Sequence, residues 1–418
     1  MKNIWKNYKL TILLLCSLVV GAIVGLVFGD KATVLSPFGD LFMNMMFVLI
    51  VPLIFLTITT SVAKIKQPKR LGSVFKSIVV VIAATSIFAV LVGIISTYAV
   101  KLINPEDSNA ILEILDNGEE GEKVELDLLS RTVQAISVDD FSKILSRENL
   151  LALVLVAVFT GIAINKIGKE AEPVENFLNS ANKVVLKLVD MAFYYAPIGL
   201  GCYFASLIGT FGASIAVGYL KTFIVYTVVA LIYYFGVYSL YAYIAAGKKG
   251  VSTFWKNIWP ATVTSISTCS SAASIPVNIQ CSKNMGVSDD IAETIVPLGS
   301  SFHKDGSIIG SVFKIMFLAY LFGTNVYSFG GITKIFGVAL IATLLVAAVP
   351  VGGGTISEAL IISMMGFPMT ALPILTIIAT IIDAPATLLN VVGDSADSML
   401  VAKMVDGKNW INKKIAKN

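Results

Sequence analysis

Histidine is almost absent from this 418-residue chain, which has one, His303. Cysteine is scarce and scattered. Cys16, Cys202, Cys269 and Cys281 have no metal or redox spacing and lie in or beside apolar stretches, so they read as packing residues, with Cys269 also a pocket lining. Charge is equally thin: Asp, Glu, Lys and Arg make up 14% of residues against 56% hydrophobic ones, and the mean hydropathy is +0.82. These shortages exclude a Cys/His metal site, and no nucleophile–base spacing suggests an enzyme. The formal net charge of +4 comes from lysines clustered in loops and points to no nucleic-acid partner.

What the chain has instead is apolar runs of 18 or more residues, repeated along its length. They predict an all-α, multi-pass protein of the plasma or bacterial inner membrane, surrounded by lipid. The start, Met1–Lys9 followed by apolar Leu10–Gly29, resembles a signal peptide but is long enough to span, and reads as an uncleaved first helix. Further spans are expected over about 41–63, 74–103, 150–167, 181–207 and 222–246. The basic stretch Lys64–Arg70 and Lys166, Lys169, Lys248 and Lys249 predict cytoplasmic loops, and the acidic stretch Glu119–Glu125 an external one. Both termini then fall in the cytoplasm.

The texture changes after Val251, where seven of the thirteen prolines lie between Pro260 and Pro385. Two apolar stretches, 254–285 and 332–365, are interrupted centrally by proline and small residues, with halves too short to cross a core of about 30 Å. The pattern predicts re-entrant helical hairpins whose tips offer backbone groups and half-helix dipoles to a ligand. Each is followed by a polar-interrupted span, a repeat of the kind secondary transporters show. The first such span carries Gly299-Ser-Ser-Phe-His-Lys-Asp-Gly-Ser307, where glycines and charges predict a locally unwound helix facing a cavity. A buried Lys304–Asp305 pair that only fixes packing is the plainer reading. In the last span, 369–404, Asp383, Thr387, Asn390 and Asp394 recur at spacings of four, three and four, and Asp397 continues their face. Asp383 suits an ammonium group, Asn390 a carboxylate, and Asp394 a small hard cation. Polar residues that merely hold helices together are the alternative.

Three stretches carry a resemblance: Ser270-Ser-Ala-Ala-Ser-Ile-Pro-Val277, the run Pro297–Ser307, and Asp383-Ala-Pro-Ala-Thr-Leu-Leu-Asn-Val-Val-Gly-Asp394. They look like the dicarboxylate/amino acid:cation symporter family, the first hairpin being similar to bacterial serine/threonine:sodium symporters. The resemblance implies eight transmembrane helices, two re-entrant hairpins, a homotrimer and an elevator mechanism. It assigns 1–70 and 104–210 to scaffold helices 1, 2, 4 and 5 with the external loop, and 71–103 and 211–250 to transport-domain helices 3 and 6. It then assigns 251–288 to the first hairpin, 289–325 to an unwound helix 7, 330–366 to the second hairpin, 367–405 to helix 8 and 406–418 to a cytoplasmic tail. It further implies a substrate pocket of Cys269, Ser270, Ser271, Ser307, Val349, Gly352, Gly353, Asp383, Ala386, Thr387 and Asn390. Asp383 would take the amino group, and Thr387 and Asn390 the α-carboxylate. Sodium would be held by Asp394 with main-chain oxygens of Gly299, His303 and Asn390, by Thr85, Ser86 and Asp305, and by Ser301 with carbonyls around Thr343, Leu344 and Val346.

Four positions depart from the family. Ala386 and Cys269 stand where arginines serve acidic substrates, so an acidic side chain would lack its charge-assisted partner and a neutral amino acid such as serine, threonine or alanine is expected. The usual Asn-Met-Asp-Gly run is His303-Lys-Asp-Gly306 here. Lys304 can place an ammonium where a sodium would sit, and His303 can carry a proton, so proton-coupled or cation-independent transport stands beside sodium coupling. Glu358 has no assigned role. A channel would share the buried acids, but asymmetric proline-broken hairpins suit alternating access better.

Overall fold

A computed structural model describes residues 2–63, 72–103, 138–146, 149–211, 213–344 and 354–413. The basic and acidic loops expected at 64–70 and 119–125 lie outside them. Among the described residues every regular element is helical, because long apolar runs satisfy their backbone groups internally in no other way except a closed barrel. Four stretches are long and apolar enough to cross a membrane: Ile12–Thr60, Lys76–Ala99, Ile215–Asn257 and Met369–Asp406. The pair Leu155–Val189 and Tyr194–Thr210, bent by 50°, makes up to five. The first stretch contains two helices, so this count and the expected eight are not the same measure.

The N-terminal helices α1 (Lys2–Phe28) and α2 (Ser36–Ala63) pack against the long α5 (Glu172–Phe211), and α4 (Leu150–Ile167) packs on α2. Their outward faces are apolar, with Val19, Val20, Ile23, Val27, Val48 and Phe159 exposed, as a lipid-facing surface requires. A wide groove of about 910 Å³ between α2 and α5 is lined by Phe47, Val51, Phe55, Phe177 and Leu178 and shares no residue with the polar cluster described below.

The remaining helices gather around α14 (Leu372–Asp406), the last long one. α3 (Gly72–Ala99) packs on it and on α11. α6 (Ala213–Ile232) continues through a π turn, Tyr233–Val237, into α7 (Tyr238–Asn257). The first expected hairpin is α8 (Trp259–Thr268) and α9 (Ser271–Asn284), two short helices packed on each other and on α14. Their break falls at Cys269, in the left-handed region with φ +45°, and not at Pro276, which lies inside α9. A non-glycine residue there is uncommon and strained. α10 (Asp289–Phe302) and α11 (Asp305–Leu321) are the two halves of the expected broken helix. α12 (Phe329–Leu344) and α13 (Gly354–Met365) are the arms of the second expected hairpin, and the residues between them lie outside the described set. Helix 3 ends four residues earlier than expected, and α5 begins nine residues earlier than the span read from hydropathy, because its first two turns are polar.

Candidate functional site

The site is built where the break between α10 and α11 meets the polar stripe of α14. His303 and Lys304 have extended backbones, and the chain resumes helix at Asp305. The His303 N–H still donates to Gly299 O at 2.8 Å, closing α10. Two glycines permit the contact. A Cβ on Gly306 would strike the backbone of Ala386, and one on Gly299 would strike the Asp394 carboxylate. The broken segment therefore lies directly on α14. Asn390 holds it there in both directions: its Oδ1 accepts from the Ser307 N–H at 3.1 Å, and its Nδ2 donates to Ser307 Oγ at 3.0 Å. Tyr226 of α6 donates to Gly306 O at 2.8 Å.

Below this contact the His303 ring sits among acids from two helices. Nε2 lies 2.8 Å from Thr85 Oγ1 and 3.0 Å from Asp305 Oδ1. Nδ1 lies 3.3 Å from Asp397 Oδ2 and 3.9 Å from Asp394 Oδ1. His303, Asp305, Asp394 and Asp397 are all buried to 2% exposure or less, so the charges face one another and not solvent. Tyr238, the first residue after the π turn, donates to Leu389 O at 2.7 Å and reaches Asp305 Oδ2 at 3.2 Å. Lys304 is buried beside this group, close enough to act electrostatically on Asp394. Asp397, Tyr238 and Tyr226 complete the site without having been in the expected set. Asp397 was legible on the helical stripe, whereas a tyrosine on an apolar helix carries no spacing signal.

Above the contact, toward the N-terminal half of α14, lie Asp383, Ala386 and Thr387. The Thr387 hydroxyl, one turn on, serves the Asp383 carboxylate, and Cys269 at the α8–α9 break is close enough to feel its charge. Ser270 caps α9, its Oγ accepting from the Ala273 N–H at 3.2 Å, and Ser271 opens that helix. Among the described residues no cation lies within ion-pair distance of Asp383. Lys314 acts on it from further off while pairing with Glu358 at 3.3 Å, and Thr376 donates to the other Glu358 oxygen at 2.8 Å. Glu358 thus acquires a role, tying α13 to α11 and α14. A polar seam also joins α9 to α14: Asn278 donates to Val391 O at 2.7 Å and accepts from Ser395 Oγ at 2.5 Å. These polar contacts beside the stripe hold α9 against α14.

The expected sodium ligands divide by fit. Asp394 Oδ1 is buried, has no hydrogen-bond partner and lies against the Gly299 backbone, so a carboxylate-and-carbonyl set there suits a hard cation. In the Thr85, Ser86 and Asp305 set, His303 Nε2 lies 2.8 Å from Thr85 Oγ1 and 3.0 Å from Asp305 Oδ1. Of the third set, Thr343 donates to Ala339 O at 2.7 Å and approaches Ser311 Oγ at 3.4 Å. Ser301 and Leu344 are placed at the ends of α10 and α12, and Val346, like Val349, Gly352 and Gly353 of the expected pocket, lies outside the described residues. Among the described residues no three of His, Cys, Asp or Glu form a group that could hold a metal ion.

Comparison with known proteins gives the family. A model of the sodium:dicarboxylate symporter family matches residues 10–404. Excitatory amino acid transporter 2 of Mus musculus is 25% identical over 455 aligned residues, which cover 93% of this chain and 78% of that protein. The C4-dicarboxylate transport protein of Bacillus subtilis (strain 168) is 24% identical over 418, covering 96% and 94%. Neutral amino acid transporter A of Homo sapiens is 29% identical over 249, covering 59% and 46%. These relatives are transporters and not enzymes, and with them the chain is an all-helical, multi-pass membrane transporter of a small molecule. It belongs to the sodium:dicarboxylate symporter family.

Proposed function

We propose that the protein takes up a small neutral amino acid, with serine, threonine and alanine as the expected substrates, by symport with sodium. The observation that carries this reading is Asp383, an acid with no cation in ion-pair reach among the described residues, beside Ala386 and Cys269. A carboxylate in that setting favours an ammonium group and repels a second carboxylate. Asn390 and Thr387 offer amide and hydroxyl donors for the α-carboxylate. With alanine at 386 and cysteine at 269, nothing at those positions can clamp an acidic side chain.

Sodium would be held at Asp394 with main-chain oxygens of Gly299, His303 and Asn390, and its charge would offset the excess of acids there. The helices that pack on α5 suit a fixed scaffold (1–70 and 104–210). Those gathered on α14 suit a moving unit, as an elevator with eight spans, two re-entrant hairpins, three protomers and cytoplasmic termini would need. The lipid-facing apolar surface of α1, α2 and α4 supports that division. A second reading is favoured by one finding: the dicarboxylate transporter of Bacillus subtilis aligns over nearly the full length of both chains. On that reading the substrate has no amino group, and Asp383 would have to be met by another positive partner.

Uptake into proteoliposomes by the purified protein decides between them. The proposal expects saturable accumulation of labelled serine, threonine or alanine, several-fold faster with an inward sodium gradient than without. Accumulation of succinate or aspartate, with none of a neutral amino acid, contradicts it.

A further inference from the structure

We propose that the His303 side chain takes the place of a coupling cation in the Thr85–Asp305–Asp397 cluster, so that no sodium binds there. The inference rests on the reading of the protein as a sodium-coupled transporter and concerns how many ions it holds. Three facts carry it. The oxygens of Thr85 and Asp305 converge on one point, and the ring nitrogen Nε2 is at that point, 2.8 Å from the first and 3.0 Å from the second. A hard cation of calcium's size sits about 2.3–2.6 Å from its oxygen ligands, so an ion serving both oxygens would have to occupy the volume of the ring. The ring has nowhere to withdraw: its other nitrogen faces Asp397 and Asp394, and it is 1% exposed.

The hydrogen bonding of Thr85 leads to the same place. Its single hydroxyl proton has a carbonyl acceptor one turn back, Val81 O at 2.9 Å. Asp397 Oδ2 is a second acceptor for that proton at 3.3 Å, and with the proton so engaged the oxygen lone pairs are left to Nε2. A cation at this point would need those same lone pairs. The imidazole thus fills the space that an ion would need, whichever protonation state it adopts. The far oxygen of Asp305 lies 3.2 Å from the Tyr238 hydroxyl, which is shared with Leu389 O. An asparagine at 303 would offer an oxygen and leave room, turning the same cluster into an open cation site.

The test counts ions on the substrate-free, detergent-purified full chain by equilibrium binding of radioactive sodium. His303→Asn is expected to bind one more sodium per chain than the wild type, and Thr85→Val added to it is expected to remove that extra ion. Thr85→Val alone is expected to leave the wild-type count unchanged, which decides the matter even if His303→Asn does not fold. Equal, non-zero counts for wild type and a folded His303→Asn overturn this inference and leave the transport reading intact. Loss of one sodium on Thr85→Val alone does the same. No sodium bound by wild type or by His303→Asn overturns both.

Discussion

The stripe of acids on α14 has two ends, and the fold treats them in opposite ways. Asp394 and Asp397 receive the imidazole of His303, delivered by the break between α10 and α11. Asp383, about three turns earlier on the same helix, receives a hydroxyl from Thr387 and no cation in ion-pair reach among the described residues. Acids in an apolar helix are costly and need a partner. At one end the chain brings an imidazole against the acids, closest to Asp397 at 3.3 Å, and leaves Asp394 Oδ1 for the proposed sodium. At the other end, on the proposed reading, the place beside Asp383 is left for the substrate ammonium, and the difference follows from what sits at the break of the neighbouring helix. The α8–α9 break brings Cys269 and Ser270, neither cationic, whereas the α10–α11 break brings His303 and Lys304.

The comparison breaks most visibly at Asp383. Asp383→Asn keeps the shape and removes the charge, and is expected to weaken binding of the neutral amino acid by about 2–5 kcal/mol, a loss of roughly 30-fold or more in Kd by titration calorimetry. Asp397→Asn at the filled end, which loses no substrate contact, is expected to shift Kd by less than about tenfold. Near-normal affinity in Asp383→Asn would mean that the open end is not the amino-group site.

Lys314 is the cation that could undo the contrast, since its charge reaches Asp383. Its ion-pair partner is Glu358, at 3.3 Å with both groups nearly inaccessible. Glu358→Gln leaves an ammonium buried with half its pairing gone and is expected to lower stability by about 3 kcal/mol, read by thermal unfolding in detergent. The double variant Lys314→Met, Glu358→Leu should recover most of that. Substrate affinity of the double variant close to wild type would sharpen the comparison. A loss as large as that of Asp383→Asn would make Lys314 the partner of the open end.

The smallest effects separate the two tyrosines. Tyr238→Phe removes the bonds to Leu389 O and Asp305 and is expected to cost about 1 kcal/mol of stability through the filled end. Tyr226→Phe releases Gly306 O beside the pocket and is expected to cost about 1 kcal/mol in substrate binding. Kd and unfolding temperature measured on both variants check whether the two effects fall on different readouts.

Much of this was legible before any coordinates. The spacing of Asp383, Thr387, Asn390, Asp394 and Asp397 put them on one face, and charged residues between glycines in an apolar run marked the break at His303. The destination of the His303 ring was not legible, because it depends on α3 lying against both α11 and α14 and so on contacts hundreds of residues apart. In the sequence Lys304 is the candidate stand-in for a cation, yet it is the ring of His303 beside it that lies 3.0 Å from Asp305 and 3.3 Å from Asp397. The interruption of 254–285 by small residues and proline was legible, but not that the chain turns at Cys269 while Pro276 stays inside α9. Tyrosine hydroxyls on α6 and α7 left no trace in the pattern, since tyrosine counts as apolar wherever its ring packs.

The most direct measurement is an experimental density map of the protein loaded with serine and sodium. The account predicts the substrate ammonium against Asp383 and the imidazole of His303 between Thr85, Asp305 and Asp397. A substrate lying away from Asp383, or His303 turned out with an ion between Thr85 and Asp305, would contradict it.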